Sequence, residues 1–115
     1  MFFTVYILTN RERSVFYTGV TGVLEDCIFD HKAHQSKRTE CWRHCTRLVY
    51  YEDFEEFNAA VDRLDLLTRR LEHGQINFIG RFNPCWVDLS RDWYDHQELS
   101  FYKRWYSPLI PLEWQ

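Results

Sequence analysis

A chain of 115 residues is sized for one domain around a single core, and it excludes a second independent domain. With 45% hydrophobic and 18% aromatic residues it carries ample apolar side chain for that core, which excludes a disordered chain. The formal charge of -3, from 14 basic and 17 acidic residues, excludes a protein whose whole surface grips phosphate.

The N-terminal apolar run is interrupted by Thr4, Tyr6, Thr9 and Asn10 and closed by Arg11 to Arg13, so it reads neither as a signal segment nor as a membrane span. A soluble, cytosolic protein is expected, with Cys27, Cys41, Cys45 and Cys85 as reduced thiols. "FFTVYIL" (Phe2 to Leu8) and "SVFYTGV" (Ser14 to Val20) have strand composition, and the polar "TNRERS" between them predicts an antiparallel hairpin. Their continuous apolar character predicts burial on both faces.

From Val23 the period changes. Leu24, Cys27, Ile28 and His31 fall at i, i+3, i+4 and i+7, which predicts a short helix ending near Ala33 with Cys27 and His31 one turn apart. The stretch "QSKRTECWRHC" has no clean period and reads as a basic loop. Between Lys32 and Arg47 lie five basic residues, Lys32, Lys37, Arg38, Arg43 and Arg47, against Glu40 alone; they are the candidate nucleic-acid contacts, and solvated loop charge is the plainer meaning.

"TRLVYYE" restores a strand signature. In "EEFNAAVDRLDLLTRRLEHG", Phe57, Ala60, Val61, Leu64, Leu67 and Leu71 recur at helical spacing, acids open the segment, and Arg69, Arg70 and Gly74 close it. "QINFIGRF" predicts a weaker helix stopped by Asn83 and Pro84. The order β-β-α-β-α-α predicts an α+β fold, a three-stranded, mainly antiparallel sheet flanked by helices, with a domain over residues 1–89. Residues 90–115 form an aromatic-rich C-terminal extension, packed on the same domain or on a partner, in which Trp93, Tyr102, Trp105 and Tyr106 are candidate interaction anchors.

"TVYIL", "FYTGVT", "LEDCIFDHK", "LVYYEDFEEFNAAVDRL" and "NPCW", in that order and at these distances, resemble the small stand-alone bacterial members of the GIY-YIG nuclease superfamily. The resemblance runs from about Phe3 to Leu89. It implies a phosphodiester-cleaving site on the sheet, with Tyr6 and Tyr17 as the paired tyrosines and Gly19 allowing close backbone approach. It further implies an arginine on the first helix, a nearby histidine matched by His31, and a glutamate on the long helix holding one divalent metal.

The chain departs from that pattern at both charged positions. Where relatives read "LERRIYEHK" this chain reads "LEDCIFDHK", so Asp26 and Cys27 replace two arginines, with Cys27 at the catalytic one. On the long helix Leu64 stands at the metal-ligand position, and Asp65, about 100° further round, is expected to face away. Asp26 and Asp30 read as candidate cation ligands near the first helix, but they also repel phosphate.

The resulting expectation is a remnant site of Tyr6, Tyr17 and His31 in a protein that has lost cleavage, uses no cofactor, and acts by binding. A protein partner or self-association is favoured over nucleic acid, and no membrane is involved. The alternatives are an active, Mg2+-dependent endonuclease with a rearranged site and a non-cleaving nucleic-acid binder using residues 32–47. Cys41, His44 and Cys45 invite a zinc reading, but a single Cys-x3-Cys without a second pair is a poor match to zinc frameworks.

Overall fold

The protein was analysed as a computed structural model that describes residues 2–33 and 45–94. β1 (Phe3–Thr9) and β2 (Phe16–Thr21) form the expected antiparallel hairpin, with Tyr6 opposite Gly19 and Leu8 opposite Tyr17. The connection is built by one side chain. Asn10 Oδ1 accepts from the backbone N–H groups of Ser14 at 2.8 Å and Val15 at 3.2 Å, while its amide nitrogen donates to Ser14 Oγ at 2.8 Å. Arg13, at φ 59, turns the chain inside this loop.

β3 (Arg47–Phe54) pairs antiparallel with the other edge of β1, giving the order β2-β1-β3. A central strand must bury both faces, and β1 does so by alternation. Val5 and Ile7 join Val49, Tyr50, Ala60, Leu67 and Ile79 in one core cluster, whereas Tyr6 and Leu8 join Ile28, Cys45 and Leu48 in a second. Two-sided burial therefore holds for β1. The edge strand β2 is only half-buried along its whole length.

α1 (Leu24–Ala33) covers the Tyr6 face, and Ile28 is its fully buried anchor. α2 (Phe57–Glu72) covers the Val5 face through Ala60 and Leu67, flanked by Leu64 and Leu71. The apolar stripe read from the sequence is thus narrower than its period suggested: Phe57 is 54% exposed and Val61 39%. Phe57 lies beyond the packed stripe and instead meets Phe3 edge-on at 5.4 Å. Gly74, at φ 70, closes α2, with its N–H on Leu71 O and the Gln75 N–H on Arg70 O.

α3 (Asn77–Phe82) packs Phe78 and Phe82 against Tyr50, with ring centroids 5.4 and 4.9 Å away. Its end is pinned by Asn83, whose amide donates to Val49 O at 3.3 Å and Val87 O at 2.8 Å while its Oδ1 accepts from the Val87 N–H. Past it, Leu89 N–H donates to Leu48 O, and Asp88 accepts from Leu48 N–H, Ser90 N–H, Ser90 Oγ and Lys32 Nζ. Within residues 90–94, Ser90 is fully buried and the Tyr94 ring stands 5.4 Å from Phe29.

Candidate active site

Tyr6 sits at the centre of the sheet with 3% of its surface exposed. Its cross-strand neighbour must be glycine, because a Cβ at residue 19 would lie 2.6 Å from Tyr6 Oη and 2.7 Å from Cζ. Pairing of Tyr6 with Gly19 makes Tyr17 the diagonal neighbour on the same face, and the two rings are 6.1 Å apart. The spacing Tyr-x-Gly on one strand is thus a packing rule that seats one phenol over bare backbone and places the second beside it.

α1 crosses that face and presents Cys27 and His31 from adjacent turns. The Cys27 thiol donates to Tyr6 Oη at 3.2 Å, and His31 Nε2 lies 3.4 Å from the same oxygen. The His31 ring is 4.8 Å from that of Tyr17. His31, which helical spacing puts on one face with Leu24, Cys27 and Ile28, is 5% exposed and part of the cluster. Burial pushes the Tyr6 phenol well above its ordinary range, and the Cys27 thiol and Tyr17 add to the shift. Tyr6 is accordingly a neutral hydroxyl at physiological pH.

Tyr6, Tyr17, Cys27 and His31 therefore converge, and Leu64 does not join them. It packs against the Val5 and Ile7 cluster on the opposite face of the sheet. Asp65 is exposed, as expected, and ion-paired with Arg69 one turn on. Beside Cys27 runs a groove lined also by Gly22, Val23, Asp26, Phe29 and Asp30. A second groove shares Gly22 and Val23 and continues to Phe2, Glu25, Asp53 and Trp93. Among the described residues, four carboxylates and no Lys or Arg line the two grooves, so the rim of the site beside Cys27 is acidic.

Of the expected phosphate contacts, Lys32 is turned inward. Its ammonium donates to Asp88 Oδ2 at 2.6 Å with the two side chains 13% and 17% exposed, which neutralises the charge a phosphate would need. Arg47 lies half-buried on β3 opposite Thr9, and Lys37, Arg38 and Arg43 lie outside the described residues. Trp93 is 37% exposed in the second groove, while Tyr102, Trp105 and Tyr106 lie outside the described residues. Cys41 and His44 also lie outside them; Cys45 is buried with its thiol 3.6 Å from Val15 O.

Asp88 was not singled out by sequence reading. Burial pushes its carboxyl up, but the hydrogen bonds and charge of Lys32, with those of Ser90, outweigh that and hold it below the ordinary carboxylate range. The signal available was an acid embedded in the apolar stretch "CWVDL". Among the described residues no three His, Cys, Asp or Glu side chains converge to hold a metal ion, and Leu64, where the resemblance places the single metal-holding glutamate, offers no donor atom.

A three-stranded sheet with paired tyrosines over a glycine, faced by a helix carrying the third and fourth site positions, defines the class. The chain belongs to the GIY-YIG catalytic domain family, whose model matches residues 2–73, from β1 through α2. No curated protein and no solved structure matches the chain.

Proposed function

We propose that this GIY-YIG domain protein has lost phosphodiester cleavage and acts by binding a macromolecular partner. One observation carries the reading: at the position where the family resemblance places a guanidinium, the Cys27 thiol is hydrogen-bonded to Tyr6 Oη at 3.2 Å. Breaking a phosphodiester builds negative charge on the transferring group, and removing one charge-stabilising donor typically slows such a step by about 10²–10³-fold. Here the donor is a neutral thiol, and Asp26 and Asp30 line the adjoining groove. The phenol that would orient water is neutral and buried.

The partner is a protein, or a second copy of this chain, in preference to nucleic acid. Net charge -3, the acidic rim, and the exposure of Phe2 (52%), Val23 (51%) and Trp93 in one groove support that choice. A second reading, an active endonuclease using Mg2+ in a rearranged site, draws its support from the survival of Tyr6, Tyr17 and His31 as one cluster. The third, binding of nucleic acid without cleavage through residues 32–47, is weakened by the engagement of Lys32 with Asp88.

Purified protein incubated with supercoiled plasmid and single-stranded DNA in Mg2+ or Mn2+ separates the three. The proposed function predicts neither nicking nor retention, at physiological salt, of the plasmid or of single-stranded DNA ending in a 5′-hydroxyl. Nicking that disappears in Tyr17→Phe overturns it in favour of the second reading, and salt-dependent binding without nicking favours the third.

A further inference from the structure

On the sheet face opposite the tyrosines, the end of α2 and the start of α3 enclose a cleft of about 450 Å3, within the range of small-ligand sites. Arg70, Gln75, Asn77 and Arg81 supply its polar lining, Ile76 and Phe78 its apolar wall, and among the described residues no acid lines it. In a chain of net charge -3 this is the reverse of the tyrosine site.

Among the described residues, Lys32, Arg63, Arg69 and Arg91 each face a carboxylate, and Arg13 lies over the Trp86 ring. Neither Arg70 nor Arg81 has an acidic partner among the described residues. Arg70 is nonetheless held, its guanidinium 5.8 Å from the centre of the Phe78 ring, which Tyr50 braces edge-on at 5.4 Å. Gln75 is fixed to the same turn by its N–H on Arg70 O at 2.8 Å, and that bond, with the Gly74 N–H on Leu71 O, blunts the negative end of the α2 dipole. At the mouth, nothing lies within 4 Å of where a Gly74 side chain would begin.

We infer that this cleft binds the phosphate of a nucleotide, either free or at the 5′ end of a nucleic-acid strand. Two guanidinium forks match the charge of a phosphomonoester dianion, and a carboxylate would leave one of them uncompensated. The two carboxamides add donors for a group with three terminal oxygens, where a carboxylate offers two. Ile76 and Phe78 give the attached sugar and base an apolar surface. The site lies apart from Tyr6 and Cys27, so it stands whether or not the chain cleaves.

The test uses the full chain, amide NMR spectra, and five probes: inorganic phosphate, adenosine 5′-monophosphate, acetate, and one short oligonucleotide with a 5′-phosphate or a 5′-hydroxyl. The expected result is saturable shifts confined to residues 70–81 with the phosphomonoesters, weakened about tenfold or more in Arg81→Gln and in Arg70→Gln. Binding should also weaken as pH falls through about 6, where the dianion takes up a proton. Adenosine monophosphate alone binding identifies a free nucleotide as the source, and the phosphorylated strand binding as well identifies a strand end. Three results overturn the inference: no shifts at 70–81, equal binding of acetate or the 5′-hydroxyl strand, or unchanged affinity in the variants. Arg81 is exposed on α3, so Arg81→Gln remains informative if Arg70→Gln disturbs the fold.

Discussion

Gly19→Ala is the substitution that probes the tyrosine site most sharply. The new methyl would sit 2.6 Å from Tyr6 Oη and 2.7 Å from Cζ, distances that real Cβ contacts essentially never show, and 3.0 Å from Cε1. Tyr6 is 3% exposed on the central strand, so its ring has little room to retreat. Overpacking of this kind destabilises by about 1–3 kcal/mol. Displacing the phenol also strains its contacts with Cys27 and His31, each worth about 1 kcal/mol. Alanine's lower backbone entropy loss in a strand returns roughly 0.5–1 kcal/mol. The net expectation is a loss of about 2–3 kcal/mol, read as a lower urea midpoint at unchanged slope. Adding Tyr6→Phe removes the closest clashing atom, so the double variant should lose less than the sum of its parts. A loss below about 0.5 kcal/mol, or strict additivity, would refute the claim that residue 19 is glycine because a phenol lies on it.

Four further outcomes follow from contacts distant in sequence. Asp88→Ala strands Lys32 and the Leu48 and Ser90 N–H groups, and should destabilise by about 3 kcal/mol in chemical denaturation. Because the folded Asp88 carboxyl is held below its ordinary 3.8, its contribution is present above that pH and lost as pH falls below it; Asp88→Asn should flatten the acid limb of a stability-pH curve. Asn83→Ala removes three hydrogen bonds, one to Val49 on β3 and two to Val87, and should lower stability by about 2–3 kcal/mol. Tyr94→Phe deletes the hydroxyl that donates to Glu25 O at 2.5 Å, and should cost about 1 kcal/mol while raising proteolytic cleavage after residue 89.

The strands and helices were legible because their signals are local. The strand composition of β1, the 3.6-residue period of α2 and the breaker Gly74 each lie within a short window, and the elements fall where those windows place them. The pairing of Tyr6 with Tyr17 was legible through the family motif, whose physical content is the seat that Gly19 makes for Tyr6. What sequence did not carry was facing. Leu64 lies on an apolar stripe in either view, but only the packing shows that α2 covers the Val5 side, away from Tyr6. Lys32 read as solvent charge because its partner, Asp88, stands 56 residues away. Helical spacing put His31 on one face with Cys27 but did not carry its depth, because it is the sheet beneath α1 that buries it.

The ionisation of Tyr6 reports most directly on whether the site holds any positive charge. A guanidinium or a bound divalent ion beside the phenol would draw its pKa down, whereas burial beside a neutral thiol pushes it up. With tyrosine 13Cζ labelling, the Tyr6 resonance should stay that of the neutral phenol through about pH 11, with or without saturating Mg2+. Titration at or below the ordinary 10.0, or a downward shift on adding Mg2+, would contradict the account and restore the case for a working nuclease.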